Sequence, residues 1–274
     1  MDTKTSVLMS VYNKEKAEYL DLSIESILVN QTQRPDEFVL VCDGPLTDEL
    51  DEIISKYEKQ FPDIFIVYRT EKNQGLGKAL NFGLSKCSNE IIIRADSDDI
   101  CDSDRIKLQY EYLVNHPEVA VVSSYIDEFD EDWRKPKNVK TLPLTSDELA
   151  KMAKFRNPIN HMAAAFRKDV ILKIGSYRHI PYIEDYELWV RAIVSGYKLG
   201  NIDKVLVHAR VGNGMVKRRG NRQYISSWKE LSTYMLKNKM INRQEYLRNM
   251  LAVRAFVYMP SGLKEFVYKK ILRK

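Results

Sequence analysis

A chain of 274 residues, 44% hydrophobic and 30% charged with a formal net charge of +5, can bury one sizeable α/β core with an appendage, or two small domains. No run approaches the ~18 consecutive apolar residues of a membrane-spanning helix, and the apolar run Val7–Val11 is too short for a secretion signal and lacks a small-residue cleavage site. The three cysteines, Cys42, Cys87 and Cys101, offer neither zinc spacing nor a disulfide framework, which predicts reduced thiols in a cytoplasmic protein.

The first half of the chain alternates short apolar runs with amphipathic stretches. Val7–Val11, Phe38–Val41, Ile64–Tyr68, Ile91–Ile93 and Val119–Ser123 read as buried strands. Leu20, Ile24, Ile27 and Leu28 predict a helix after the first run. Leu76, Leu80 and Leu84 predict another after the third, with Ala79 and Gly83 as a small face for close packing. Asp104 opens a helix through Ile106, Leu108 and Leu113 that stops before His116-Pro117. This βαβα cadence predicts an open, mostly parallel, doubly wound sheet with helices on both faces. After about residue 125 the cadence breaks. Asp127–Lys140 reads as a charged loop or hairpin, Leu149–Phe155 as a helix, and Ala163–Phe166 as a strand. Asp185 opens a helix through Leu188, Trp189, Ala192 and Ile193, closed by Ser195-Gly196, and Lys204–Ala209 reads as a late strand. Two further helices follow over Trp228–Met235 and Gln244–Tyr258. The predicted division is an α/β domain over 1–220 and a helical, basic extension over 221–274.

The sharpest chemical signal is Arg94-Ala95-Asp96-Ser97-Asp98-Asp99, directly after the fourth strand. Open α/β sheets bind ligands at the C-terminal ends of their strands. Three like charges packed there are costly unless a cation or hydrogen-bond donors compensate. Mg²⁺ or Mn²⁺ prefers such oxygen ligands and shares them with substrate phosphates. An Asp-rich turn with a helix cap is the plainer alternative. Asp43 ends the second strand and precedes Gly44, which permits a tight turn. Asn73-Gln74-Gly75-Leu76-Gly77-Lys78 opens a helix whose amides, with Lys78, could face a pyrophosphate.

Taken in order, Val7–Asn13, Val41-Cys42-Asp43-Gly44, Asn73-x-Gly75 with Ala79-x-Asn81-x-Gly83, Asp96-Ser97-Asp98-Asp99 and Ile183-Glu184-Asp185 resemble the motifs of family 2 glycosyltransferases over roughly residues 5–215. The resemblance implies a GT-A fold and an inverting, metal-dependent transfer of a hexose or N-acetylhexosamine from a UDP-sugar. It implies that Asp43 reads the uracil, that Ser10, Val11 and Tyr12 line the base, and that Asp96 contacts the ribose or sugar. It implies further that Asp98, with Asp96, holds a Mn²⁺ or Mg²⁺ ion on the diphosphate. Arg94, Ser97, Asn73, Gly75 and Lys78 fall among the donor contacts. Asp185 matches the catalytic base, with Glu184 as second candidate. An inverting displacement needs a carboxylate to take the acceptor hydroxyl's proton, while a metal neutralises the departing diphosphate. Asp185 also reads as a helix cap. His161 falls near the acceptor side, with a packing role equally open, and Trp189 reads as core.

The chain departs from the family pattern at Arg210-Val211-Gly212, where many relatives carry a histidine at the last position. The basic run Lys217, Arg218 and Arg219 follows, readable as a lid over the diphosphate or as a solvated loop. His208 reads as packed rather than as a ligand. Residues 217–274 carry 15 Lys+Arg against 3 Asp+Glu, leaving 28 against 35 for residues 1–216. A basic end on an acidic body suits a negative partner such as a membrane face carrying a lipid-linked oligosaccharide acceptor, or is simply a solubilising surface. Its aromatic residues, at helical spacing, suit packing better than stacking on bases, so nucleic acid is not an expected partner. A nucleotidyltransferase and a silent nucleotide-sugar-binding module remain as alternatives; the former is disfavoured because Tyr12–Lys16 lacks the glycine-rich phosphate loop.

Overall fold

The computed structural model describes residues 4–211 and 221–260. Four parallel strands form one side of a nine-stranded sheet, with β3 at its edge: β1 (Thr5–Val11), β2 (Glu37–Cys42), β3 (Phe65–Arg69) and β4 (Ile91–Ala95), in the order β3-β2-β1-β4. Their runs are continuously apolar because both faces are covered: Val7, Leu8, Met9, Val39 and Leu40 have no exposed surface. On one face lie α1 (Ala17–Ile24, continued as a π turn to Val29), α2 (Asp48–Gln60) and α4 (Arg105–Asn115); Leu20, Ile54 and Ile106 pack there against Val7, Met9 and Phe38. On the other lie α3 (Leu76–Lys86), α6 (Lys168–Lys173) and α7 (Glu184–Val194), which meet Leu8, Val39 and Val41 through Leu80, Ile171 and Leu188. The doubly wound expectation is realised here. Helix α2 is an addition to the sequence reading.

Beyond β4 the sheet becomes mixed. Strand β8 (Ala165–Arg167) lies antiparallel between β4 and β6 (Val119–Phe129), and β9 (Lys198–Arg210) runs parallel to β6. The two-residue β5 (Ile100–Cys101) pairs antiparallel with β9, and β7 (Asn138–Lys140) returns along β6 as the charged hairpin. The parallel order predicted for the first half thus gives way to antiparallel pairs between strands distant in the chain, β4 with β8 and β5 with β9, alongside the direct β6–β7 hairpin. Strands β1, β2 and β4 all end at one edge, and this edge collects the polar residues.

After α5 (Ser146–Met152), α7 also serves as the platform for α8 (Arg222–Lys237) and α9 (Arg243–Tyr258). Ile183, Tyr186 and Val190 form a cluster with Leu231, Met235 and Ile241, and the Tyr186 and Trp228 rings lie 5.5 Å apart. Leu231 and Met235 are fully buried, each adding about 1.5–3 kcal/mol of apolar burial. A reciprocal cap between Asn242 and Glu245 starts α9. No helix among the described residues is long and apolar enough to cross a membrane.

Candidate active site

The turn after β4 brings three carboxylates together. One oxygen from each of Asp96, Asp98 and Asp99 lies within 4.8 Å of the others. Asp99, read from the sequence only as part of the run, is the most deeply buried, at 4% exposure. Burial, then Asp96 and Glu15, push the Asp98 carboxyl up to about 7, and burial with its two neighbours holds Asp99 well above the usual carboxylate range. Compensation comes from below and beside. Arg94 is buried at 1% exposure, and its Nη2 sits 2.5 Å from Asp96 Oδ1, while its Nε and Nη1 have no hydrogen-bond partner. The Arg210 amide donates to Asp99 Oδ1 at 2.8 Å and its Nε to the Asp98 carbonyl at 3.2 Å. The Arg210 guanidinium is held 3.7 Å from the Tyr19 ring centre and 4.6 Å from that of Phe129. Ser97 Oγ donates to Glu15 Oε2 at 2.7 Å. Three all-oxygen ligands in a half-buried cluster with excess negative charge fit a hard divalent cation.

Next along the edge, Asp43 is 4% exposed and receives the Gln74 and Gly75 amides at 2.8 and 2.9 Å, one on each oxygen. The Asn73 side chain donates to the Asp43 carbonyl at 3.2 Å. These two amides therefore cannot face a pyrophosphate as expected; the carboxylate has claimed them and fixes the start of α3. Two glycines permit this. Gly44 has φ +89° and its added Cβ would lie 2.6 Å from the Asn73 nitrogen, and Gly75 has φ +88° at the start of α3. Lys78 is exposed on the first turn of α3, Tyr12 is 41% exposed after β1, Ser10 is half-buried and Val11 is buried.

The third part is the start of α7. The helix cap is Ile183, with Glu184 and Asp185 as its first two residues, so the capping role expected of Asp185 is not the one it takes. Asp185 Oδ2 instead accepts from Asn157 Nδ2 at 2.6 Å, a partner absent from the sequence reading. Glu184 packs towards α3: a Cβ added to Gly77 would lie 3.1 Å from Glu184 Cγ. The segment leading in is constrained, with Ser176 (φ 52°) and Tyr182 (φ 73°) both left-handed. Arg191, ion-paired with Glu187 at 2.7 Å, donates to the Ile174 and Ser176 carbonyls and pins its beginning. Asn221 Nδ2 donates to Tyr182 Oη at 2.7 Å and ties its end to α8.

Between the acid turn and α7 lie Tyr177 and His161, whose Oη and Nε2 are 3.0 Å apart. Burial pushes the Tyr177 hydroxyl pKa up, with Arg94 opposing and Asp185 and Asp96 adding to the shift. Burial and Arg94 hold His161 well below its usual pKa, so it is neutral at pH 7. Trp189 is fully buried core. His208 bonds through Nδ1 to Asp127 at 2.8 Å and is packed, as expected. The candidate lid residues Lys217, Arg218 and Arg219 lie outside the described residues, as do Gly212 and residues 261–274.

The site thus unites an acid cluster, a loop clamped by an acid, and a second carboxylate at a helix start. Asp99, Glu15, Asn157, Tyr177 and Arg210 join the residues anticipated from sequence.

Comparison with known proteins identifies the family. The profile described as "Glycosyl transferase family 2" matches residues 6–175. The amylovoran biosynthesis glycosyltransferase AmsE of Erwinia amylovora is 39% identical, over 97% of this chain and 98% of its own. An Escherichia coli UDP-Gal:alpha-D-GlcNAc-diphosphoundecaprenol beta-1,3-galactosyltransferase is 34% identical, over 99% of this chain and 97% of its own. In fold, the chain resembles S. aureus TarS 1–349 in complex with UDP-GlcNAc, with a TM-score of 0.70 at 19% identity over 98% of this chain and 76% of the other. A profile match across most of the fold, together with end-to-end relatives above 30% identity, makes this chain a member of glycosyl transferase family 2.

Proposed function

We propose that the protein transfers a hexose or N-acetylhexosamine from a UDP-sugar, with inversion, to a lipid-linked glycan acceptor in surface polysaccharide biosynthesis. The observation that carries this reading is the meeting of Asp96, Asp98 and Asp99 with the Asp43-clamped loop and Asp185 along one edge of the sheet. The full-length relatives, whose names specify polysaccharide biosynthesis and a diphosphoundecaprenol-linked acceptor, support the acceptor class.

Tyr12, Ser10 and Val11 with Asp43 form the wall for the base, and Asp96 with Ser97 faces the ribose and sugar. Lys78, exposed on the first turn of α3, borders the diphosphate side, while Asn73 and Gly75 fix the Asp43 loop through their hydrogen bonds. Arg94 acts from beneath, holding Asp96 in place through their ion pair. Asp96, Asp98 and Asp99 would hold Mn²⁺ or Mg²⁺, which supplies charge neutralisation for the leaving diphosphate. Asp185 takes the proton from the attacking acceptor hydroxyl. Asn157 fixes the Asp185 carboxylate through its amide, which leaves the second oxygen of Asp185 to meet the hydroxyl. Glu184, beside Gly77, is the alternative base and lies closer to the donor loop. Residues 1–220 carry this chemistry. Residues 221–274 form a basic extension that holds the protein peripherally on the cytoplasmic membrane face.

The test is UDP release by purified protein with Mn²⁺ across a panel of UDP-sugars, with Asp98→Ala and Asp185→Ala as controls. Turnover of one donor is expected, lost in both variants, with UDP binding retained in Asp185→Ala. Loss of UDP binding in Asp185→Ala would overturn its assignment as the base, and no turnover or UDP binding by the wild type would overturn the function.

A further inference from the structure

We propose that the outward face of α9, with Phe155 beside it, docks on an anionic phospholipid bilayer and so presents the Asp185 side of the site to membrane-embedded acceptor. The delivery of acceptor rests on the lipid-linked acceptor proposed above; the docking does not.

The three most exposed large apolar side chains among the described residues are Leu247 (59%), Leu251 (65%) and Tyr258 (68%). All stand on α9 at spacings of four and seven residues, which places them on one stripe of a helix. Its opposite side is buried through Met250, Val253 and Val257. Among the described residues this helix therefore has two apolar faces, of which one is packed and the other exposed. Arg243, Arg248 and Arg254 are exposed, and the helical rotation sets them along the flanks of the outward stripe. The single acid of α9, Glu245, is engaged in its cap and with Lys154. Lys154, Lys239 and Arg243 line a shallow recess at the same end of the helix. An apolar stripe edged by cations and free of acids is the composition of an interfacial helix on anionic lipid. Pairing of this face with a second copy would oppose arginines to arginines with no acid to separate them. The sequence beyond residue 260 continues the charge, with Lys264, Lys269, Lys270, Arg273 and Lys274 against Glu265.

Two contacts connect the stripe to the site. Asn249 Nδ2 donates to the Lys154 carbonyl at 2.7 Å, and the Arg248 guanidinium lies 5.5 Å from the ring of Phe155, which is 52% exposed. Two residues past Phe155 is Asn157, the partner of Asp185. A bilayer seated on α9 and Phe155 thus lies beside the segment that fixes the base.

The experiment uses the full chain and flotation with vesicles rich in phosphatidylglycerol, against pure phosphatidylcholine. Wild type should float with the anionic vesicles, less so at high salt. Leu247→Glu/Leu251→Glu should lower partitioning by at least ~tenfold, and Leu247→Ala/Leu251→Ala by a smaller factor. Because both positions are exposed, the variants should keep wild-type circular dichroism and donor turnover with a short water-soluble acceptor, while losing turnover with a polyprenyl-linked acceptor in vesicles. Flotation of the Glu variant equal to wild type overturns the proposal. So does wild type that fails to float but forms a dimer abolished by the same substitutions. If wild type floats and the variant does not, yet no acceptor is used, the docking stands and the proposed function fails.

Discussion

Replacing Asp98 by Asn should stabilise the metal-free protein while removing its response to metal. The Asp98 carboxyl moves from an ordinary value of 3.8 to about 7, first through burial and then through Asp96 and Glu15. Between those values the native state holds a proton that the unfolded chain has released, so stability falls as pH rises through this window and the full penalty is present above pH 7. At about 1.4 kcal/mol per unit, the ceiling is about 4 kcal/mol. Asn keeps the shape without the charge. At pH 8 and without metal, Asp98→Asn should melt about 5 °C or more above wild type. At pH 5 roughly a third of that difference, about 1.6 kcal/mol, should remain, because the unfolded carboxyl is already ionised there, and the two should coincide only near pH 3.8 and below. Mn²⁺ should raise the wild-type melting temperature at pH 8 more than at pH 6, because binding must displace the proton, and should leave the variant almost unmoved. Thermal unfolding by circular dichroism at three pH values with and without Mn²⁺ measures all of this. A variant no more stable than wild type at pH 8, or a difference independent of pH, would refute the reasoning.

Asn157→Ala should lower kcat about 10- to 100-fold through misplacement of Asp185, with donor KM unchanged; steady-state kinetics separates the two. Gly44→Ala forces a left-handed alanine and a 2.6 Å approach to the Asn73 nitrogen, displacing the clamp on Asp43; it should raise the dissociation constant for UDP measured by calorimetry. Gly83→Ala would place a Cβ 2.5 Å from Leu8 and 2.7 Å from Val41. The overpacking, about 1–3 kcal/mol, should exceed the ~1 kcal/mol gained in helix propensity, and denaturant unfolding should show a net loss.

Much of this protein is legible in one dimension. Runs such as Val7–Val11 and Ile91–Ile93, with helical spacing between them, predict a sheet covered on both faces, because local periodicity reports which faces must be buried. Gly83 was marked for close packing by its neighbours at helical spacing, and it does lie against Leu8 and Val41. Helix α2 was equally readable: Thr47 accepts from the Leu50 amide, acids fill the first turn, and Leu50, Ile54 and Tyr57 are the buried side. Its charge-rich exterior hid a narrow apolar stripe. The acid run after β4, Asp43 before glycine and the acid pair at α7 were visible because each is contiguous in the chain. Which groups each acid meets depends on partners far away in the chain. Ser97 meets Glu15 across 82 residues, Arg210 reaches Asp99 across 111, and Asn157 reaches Asp185 across 28. Two consecutive acids at a helix start look like a cap, but the backbone gives that position to Ile183, freeing Asp185 for Asn157. Strand order and the antiparallel insertion of β8 likewise lay beyond the sequence, since periodicity fixes which face a residue presents and not which strand lies beside it. The sequence determined the elements, their buried faces and the acids at their ends; the tertiary structure decided which acids meet, because that depends on contacts between segments whose separation along the chain carries no local signal.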